Sequence, residues 1–252
     1  MGSTEVWCLH GMLGATNDWR ELTKYLASHG IGSRAVDLWR FLACEPMPLA
    51  RFGAALNAET CSETKPRQRI LLGYSMGGRL ALHALLAQPG LWTAAIIVSS
   101  HPGLESERER AERRAADAAW ATRALTGNWS DLIAAWDKQP LLAGPGEISS
   151  RNALALRRRE IARAFVDWSL GIQDPLWQKL RQLGIPMLWI AGENDGKFRE
   201  LAGRAVLLCP DACLAIAPNS GHRVPWQNPA WFHQTVIDFI LHLAGCDSRL
   251  TR

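Results

Sequence analysis

A serine lies between glycines in the segment GYSMGG, residues 73–78. An apolar run typical of a buried strand precedes it and a helical pattern follows, which predicts a tight strand-to-helix turn around Ser75. The flanking glycines have no Cβ, so neighbouring backbone can approach closely while the hydroxyl projects above the sheet. The N–H of Met76, at the start of the helix, can stabilise a developing oxyanion. This pattern predicts a nucleophilic serine, and the alternative is a glycine-rich turn that carries a serine by chance.

An acid and a histidine follow later apolar runs, in the chain order serine, acid, histidine. Asp195 lies in the motif GENDG and His222 ends the motif NSGH, each just after a predicted strand. Among the seven histidines, only His222 lies in a loop after a late strand. His222 is therefore predicted to take the Ser75 proton, while Asp195 fixes its tautomer and favours the imidazolium. Glu193 is the alternative acid, and Asp195 is preferred because Glu193 lies closer to the strand.

A second glycine-rich turn, LHGMLG at residues 9–14, follows the first predicted strand. A turn in this position would supply a second oxyanion N–H, that of Met12, in addition to that of Met76. His10 lies in the same turn. We interpret it as a buttress of the turn, and a catalytic role of its own is the alternative.

Short β-rich runs alternate with helical patterns over the first hundred residues and again after residue 185, whereas the stretch between shows helical periodicity only. This alternation predicts a mostly parallel central sheet flanked by helices, and the order serine, acid, histidine indicates an α/β-hydrolase fold. Residues 1–103 and 185–252 are predicted to form the core. Residues 104–184 are predicted to form a helical cap over the carboxyl ends of the strands, where ligands bind in open α/β sheets. The predicted strands are 5–9, 33–37, 69–74, 93–99, 186–191 and 213–217, and the predicted helices are 19–27, 49–61, 77–88, 105–125, 131–137, 152–168, 175–183, 198–208 and 229–244.

The chain has 252 residues, a net charge of +4 and six cysteines. Its basic residues are interspersed with acids, which argues against nucleic-acid binding and is compatible with an anionic small substrate. No apolar run reaches the roughly 18 residues of a membrane span, and the first residues lack the pattern of a secretory signal. We therefore expect a cytoplasmic protein with reduced thiols and with no membrane partner, metal or cofactor. The oligomeric state stays open.

Four segments carry a resemblance to a known family. They are GYSMGGR at 73–79, HPGL at 101–104, WDKQP at 136–140 and GENDGKF at 192–198. Together they resemble the 2-succinyl-6-hydroxy-2,4-cyclohexadiene-1-carboxylate synthases, the MenH family, from about residue 6 to residue 239. The serine motif is common to all α/β hydrolases, whereas Arg79 after the glycine pair and the second and fourth segments are more specific. The third segment has Asp137 where the family has tyrosine.

The resemblance implies a lyase that eliminates pyruvate from a succinyl-cyclohexene carboxylate precursor in menaquinone or phylloquinone biosynthesis. The serine or its alkoxide would then abstract a carbon-bound proton. Such a substrate carries several carboxylates, which suit bidentate guanidinium groups. By resemblance, Arg79 and Arg113 are carboxylate ligands, and Arg157 or Arg158 provides a third. The pocket-lining residues that the resemblance implies are Tyr74 and Trp136.

The chain departs from the family in its basic stretch at 151–163, where the family is Asn-rich, and in Ser99 and Ser100, where the family often has glycines. Arg79 and Arg113 could instead be solvated charges, the second within a run of i,i+4 pairs. The alternatives in function are a carboxylesterase or carbon–carbon bond hydrolase with the same three residues and water as acceptor, and a non-catalytic small-molecule receptor. The arginines discriminate between these alternatives, because a neutral ester requires none. Trp136 has core of the cap as its alternative role.

Overall fold

A parallel six-stranded sheet forms the centre of the computed structural model, which describes residues 4–61, 68–146 and 151–247. The order across the sheet is β2-β1-β3-β4-β5-β6, and all neighbouring strands run parallel. The predicted sheet is confirmed, and each strand begins and ends close to the expected residues. The strands are β1 (Thr4–Leu9), β2 (Gly32–Val36), β3 (Gln68–Tyr74), β4 (Ala94–Val98), β5 (Met187–Gly192) and β6 (Ala212–Ala217).

Helices connect the strands and cover both faces of the sheet. Short 3-10 turns lie at residues 16–19, 38–42, 140–142, 152–157 and 177–182. The α-helices of the described residues are α1 (Arg20–Ser28), α2 (Leu49–Cys61), α3 (Met76–Ala87), α4 (Glu107–Thr126), α5 (Trp129–Asp137), α6 (Arg158–Asp167), α7 (Gly196–Val206), α8 (Val224–Gln227) and α9 (Pro229–Asp247). None of these helices is both long and apolar enough to cross a membrane.

Side chains of the central strands alternate between two buried cores, one on each face of the sheet. Leu71 of β3 packs in the same core as Phe52 of α2, whereas the neighbouring Ile70 packs with Phe232 of α9. β3, β4 and β5 are buried along their whole length. Strands covered on both faces read as continuous apolar runs, which is the pattern seen in the sequence.

Two predicted helices differ in the structure. The single helix expected over 152–168 is a 3-10 turn followed by α6, because Arg158 donates to two carbonyls at the C-terminal end of α4 and so determines where α6 begins. Residues 175–183 form only a 3-10 turn. Backbone and indole N–H groups of Leu176 and Trp177 donate there to carbonyls in the loop after β4, which ties this segment down before a helix develops.

Residues 104–184, the helical segment, connect β4 to β5 and contain no strand among the residues described. α4 and α6 pack together, and the Trp120 and Trp136 rings meet the Phe165 ring between the helices. The Trp168 indole donates to the Met47 carbonyl at 2.8 Å and ties the segment to the loop before α2. The segment faces the carboxyl ends of the strands, because its side chains share a cavity with the turn after β3.

Candidate active site

Ser75 forms the turn between β3 and α3 in a left-handed backbone conformation with φ of 52°. The turn is so tight that only glycine fits two residues before and two residues after the serine. A Cβ at Gly77 would lie 2.3 Å from the Leu9 carbonyl oxygen, and one at Gly73 would lie 2.4 Å from the Gly77 carbonyl oxygen. The Ser75 N–H donates to the Val98 carbonyl at 2.8 Å. A non-glycine residue held in this conformation costs about 1–3 kcal/mol, so the surrounding packing must impose it.

The structure brings Ser75, His222 and Asp195 into one hydrogen-bonded row. His222 Nε2 lies 3.1 Å from Ser75 Oγ, and His222 Nδ1 lies 3.0 Å from Asp195 Oδ2. The imidazole and the carboxylate are both buried, and the other Asp195 oxygen accepts from the Phe198 N–H at the start of α7. The Glu193 carboxylate accepts instead from a backbone N–H in the loop before His222. The acid beside the imidazole is therefore Asp195.

His10 supports the first glycine-rich turn and does not join this row. Its Nδ1 lies 2.9 Å from the Gly11 carbonyl oxygen, and its Nε2 accepts from the Leu38 N–H. Burial lowers the pKa of His10 to about 4, so the ring is neutral at physiological pH. The turn it supports places Met12 beside Ser75 in the same cavity.

A cavity of about 220 Å³ lies above Ser75, and Arg79 of α3 and Arg113 of α4 both line it. Arg79 is only 6% exposed and donates to the Gln173 side-chain oxygen at 3.1 Å and the Trp168 carbonyl at 2.6 Å. Both acceptors are neutral. Burial, and after it the nearby Arg113 charge, lower the pKa of Arg79 to about 9, which leaves the guanidinium charged at neutral pH. Arg79 is thus a buried cation that faces the cavity.

Arg113 is held by a carboxylate. Its Nε donates to Asp117 at 2.8 Å, and the same Asp117 oxygen accepts from the Ser169 hydroxyl at 2.7 Å. The Asp117 side chain is 4% exposed, whereas that of Arg113 is 40% exposed. Arg113 therefore lines the cavity while part of its side chain remains in solvent.

The other predicted arginines lie elsewhere. Arg157 pairs with Asp37 and Glu160, each at 3.5 Å, and Arg158 donates to the end of α4. Neither lines a cavity next to Ser75, so the structure does not bring the expected third arginine to this site.

Tyr74 and Trp136 lie at the cavities around Ser75. Trp136 lines the large cavity, and both residues line a second cavity of about 40 Å³ that also reaches Ser75. The Tyr74 ring packs below the first glycine-rich turn, where a Cβ at Gly11 would lie 2.8 Å from it. Burial raises the pKa of the Tyr74 hydroxyl, which is therefore neutral.

Comparisons with known proteins give the family. Residues 8–235 match a family model described as the alpha/beta hydrolase family. The chain is 30% identical over 236 residues to the 2-succinyl-6-hydroxy-2,4-cyclohexadiene-1-carboxylate synthase of Salmonella paratyphi A, which covers 91% of this chain and 90% of that protein. The chain belongs to the MenH family of α/β hydrolases. The resemblance and the fold class predicted from the sequence are both confirmed.

Solved structures show how widely the fold of this MenH family member is shared. MenH from S. aureus superposes with a TM-score of 0.84 at 22% identity, over 95% of this chain and 94% of that chain. The carboxylesterase CesB of Bacillus subtilis superposes with a TM-score of 0.68 at 20% identity, over 94% and 84% of the respective chains. At these identities the likeness shows the fold alone.

Four polar residues of this MenH family member lie at the site or hold its arginines, although the sequence did not single them out. Asp117 follows Arg113 at the i,i+4 spacing of helical ion pairs, and Arg223 directly follows His222, so both had a signal in the sequence. Arg151 was hidden in a basic stretch. Gln173 had no such signal, because its role depends on where the chain returns beside Arg79.

Proposed function

We propose that this protein is a 2-succinyl-6-hydroxy-2,4-cyclohexadiene-1-carboxylate synthase, a carbon–oxygen lyase that eliminates pyruvate from a succinyl-cyclohexene carboxylate precursor of menaquinone or phylloquinone. The observation that carries the proposal is Arg79. A buried guanidinium with neutral acceptors beside a serine–histidine pair suits a substrate carboxylate, because a charge-assisted bidentate bond offsets the cost of burial. The names of the relatives in the MenH family support the same assignment.

In the proposed mechanism, His222 takes the Ser75 proton and Asp195 stabilises the imidazolium. The Ser75 oxygen then removes a proton from a substrate carbon. The electron pair forms a carbon–carbon double bond as the carbon–oxygen bond to the enolpyruvyl group breaks. The departing enolate is protonated to pyruvate by the proton that His222 holds, and the proton on Ser75 restores the hydroxyl. The N–H groups of Met12 and Met76 stabilise negative charge as it develops.

In this proposal Arg79 and Arg113 bind a substrate carboxylate in the large cavity, and Trp136 forms its apolar wall. The helical segment acts as a cap domain, residues 104–184, on the core formed by 1–103 and 185–252. The cap excludes water from the cavity. This strengthens the interactions of the arginines with the substrate, because the local dielectric constant falls.

Hydrolysis is the second candidate. The row of Ser75, His222 and Asp195 has the geometry of an acyl-transfer site, and the carboxylesterase CesB shares the fold. A carboxylesterase or carbon–carbon bond hydrolase would use water as the final acceptor. A neutral ester has no use for a buried Arg79, which favours the lyase.

The deciding experiment gives the purified protein the succinyl-cyclohexene precursor and measures pyruvate with a coupled lactate dehydrogenase assay. A p-nitrophenyl ester is assayed in parallel. We expect pyruvate release at a far higher kcat/KM than ester cleavage. Fast ester turnover without pyruvate would establish the hydrolase instead. Pyruvate formation that persists undiminished in Ser75→Ala would rule out the proposed base, while binding with no turnover of either compound would indicate a receptor.

A further inference from the structure

The second cavity adjoins the first around Ser75. Met12, Ser75, Trp136 and Leu142 line both cavities, so a ligand that reaches the serine hydroxyl can extend into either. The large cavity contains Arg79 and Arg113. The second contains a different pair of cations, Arg151 of the helical segment and Arg223 of the core.

Both guanidiniums of the second cavity are buried, with side-chain exposures of 9% for Arg151 and 10% for Arg223. One carboxylate serves both. Arg151 Nη1 donates to Asp137 Oδ1 at 2.7 Å, and Arg223 Nη2 donates to the same oxygen. Arg151 Nε is buried without a hydrogen-bond partner among the described residues. Two buried cations therefore share a single oxygen atom, and at least one buried N–H is unsatisfied.

The charge state of this cluster is settled at neutral pH. Burial raises the pKa of Asp137, but the hydrogen bonds and charges of Arg151 and Arg223 outweigh it, so the pKa lies below its usual value and the carboxylate is ionised. A further acid, Asp18, lines the cavity, but it accepts from the Ala15 N–H at 2.9 Å and helps to form the turn before α1. The three-residue cluster of two guanidiniums and one carboxylate has a charge of +1, and Asp18 adds a second carboxylate at the end of the cavity next to the turn before α1.

One unsatisfied buried N–H and the planar forks of two guanidiniums favour an anion with two oxygens in one plane. We propose that Arg223 is a specificity-determining residue, which together with Arg151 binds one carboxylate of the substrate in the second cavity while Asp137 positions both guanidiniums. This inference rests on the proposed function, since it requires a substrate with more than one carboxylate. The ligand class is a polycarboxylate whose reacting carbon lies between two anionic ends, one for each cavity.

The first test is steady-state kinetics of pyruvate release with Arg223→Gln, with Arg157→Gln as the matched control outside both cavities. We expect Arg223→Gln to raise KM by about 10- to 100-fold with kcat changed by less than about threefold, because a charge-assisted bond to one carboxylate is lost in ground and transition state alike. Arg157→Gln should behave as the wild type. A KM for Arg223→Gln within about twofold of the wild type would overturn the proposal.

Arg223→Lys covers the case in which the glutamine variant does not fold. Lysine keeps the charge but not the planar fork, so we expect a KM between those of the wild type and the glutamine variant, or clearly above the wild type if only this variant can be measured. A lysine variant with the wild-type KM would contradict carboxylate recognition by the guanidinium.

The second readout does not require turnover. Succinate, a simple dicarboxylate, is titrated into each protein and followed by tryptophan fluorescence, with neutral succinamide as the control compound. We expect succinate to bind the wild type and Arg157→Gln and to bind Arg223→Gln at least about tenfold more weakly. Equal affinities, or no binding to the wild type, would reject the subsite. If succinate binding depends on Arg223 but no pyruvate forms, the proposed function fails and the subsite stands.

Discussion

The two arginine pairs beside Ser75 differ in how their charge is balanced. In each pair one carboxylate is hydrogen-bonded to guanidinium: Asp117 to Arg113 in the large cavity, and Asp137 to both Arg151 and Arg223 in the second. Asp117 leaves its neighbour Arg79 with neutral acceptors only. The large cavity thus keeps one guanidinium without a carboxylate partner, whereas in the second cavity two guanidiniums share one carboxylate.

The two carboxylates also differ in how deeply they are buried. The Asp117 side chain is 4% exposed and that of Asp137 is 41% exposed. A buried carboxylate is fixed in place by its hydrogen bonds, while one that reaches solvent can shift when a competing anion arrives. We therefore expect the proposed anion site to be rigid in the large cavity and adjustable in the second.

The largest expected effect concerns the reaction centre that both cavities share. Ser75→Ala should lower kcat for pyruvate release by about 10³-fold or more, because the proton-abstracting oxygen is removed while the arginines remain. Circular dichroism and succinate titration check that the fold and binding persist. A decrease of less than about tenfold would mean that Ser75 is not the base.

Arg79→Gln tests the guanidinium that has no carboxylate partner. The transition-state stabilisation derived from kcat/KM should fall by about 2–4 kcal/mol, since a charge-assisted contact to a desolvated carboxylate is lost. Its urea midpoint should not fall, because the substitution also removes a buried cation that has no carboxylate partner. Unchanged kcat/KM would show that Arg79 does not touch the substrate, and a large loss of stability would show that its role is structural.

Asp117→Asn and Asp137→Asn compare the two carboxylates directly. Asp117→Asn should lower the free energy of unfolding by about 1–3 kcal/mol, because a buried acceptor of two hydrogen bonds loses its charge. Asp137→Asn should cost less, since its side chain is half-exposed and solvent screens it. Urea unfolding of both variants measures the difference. Equal losses, or a greater loss at Asp137, would contradict the rigid and adjustable assignment.

Acid tests His101, which lines the large cavity together with Arg79 and Arg113. Burial, and after it the charges of Lys197, Arg79 and Arg113, lower the pKa of His101 to about 3. The unfolded chain binds this proton near pH 6.5, so the contribution of neutral His101 to stability is complete above that pH. It is lost as the pH falls towards 3, by at most about 1.4 kcal/mol per pH unit.

Urea midpoints at pH 6.5 and pH 5 measure that slope. His101→Asn should show a shallower dependence than the wild type, because the titrating imidazole is removed. A variant of Arg223, which does not line the large cavity, should keep the wild-type slope. Identical slopes for His101→Asn and the wild type would exclude this account.

The sequence predicted best where local backbone chemistry decides the outcome. Glycines around Ser75 and a helical pattern after it predict the turn, and loops after parallel strands meet at one edge, which brings Asp195 and His222 to Ser75. The arginines of the helical segment could not be assigned this way. Arg151 and Arg157 lie in the same basic stretch, and which one reaches the cavity depends on a 3-10 turn between them.

Arg223 illustrates a different limit. The exchange of the family tyrosine for Asp137 was visible in the sequence, and the structure pairs this carboxylate with Arg151 and Arg223. The sequence alone could not say which cation, because Asp137 and Arg223 are 86 positions apart and meet only when the helical segment packs on the core.

The left-handed backbone at Ser75 lowers the stability of the fold at the residue that the proposed mechanism needs. Glycine is the residue that adopts φ near 52° without steric cost, so the chain carries a serine at one of its least favourable positions. A screen of random variants for heat resistance alone would therefore enrich glycine at position 75. Under the proposed mechanism these variants would be more stable than the wild type but inactive.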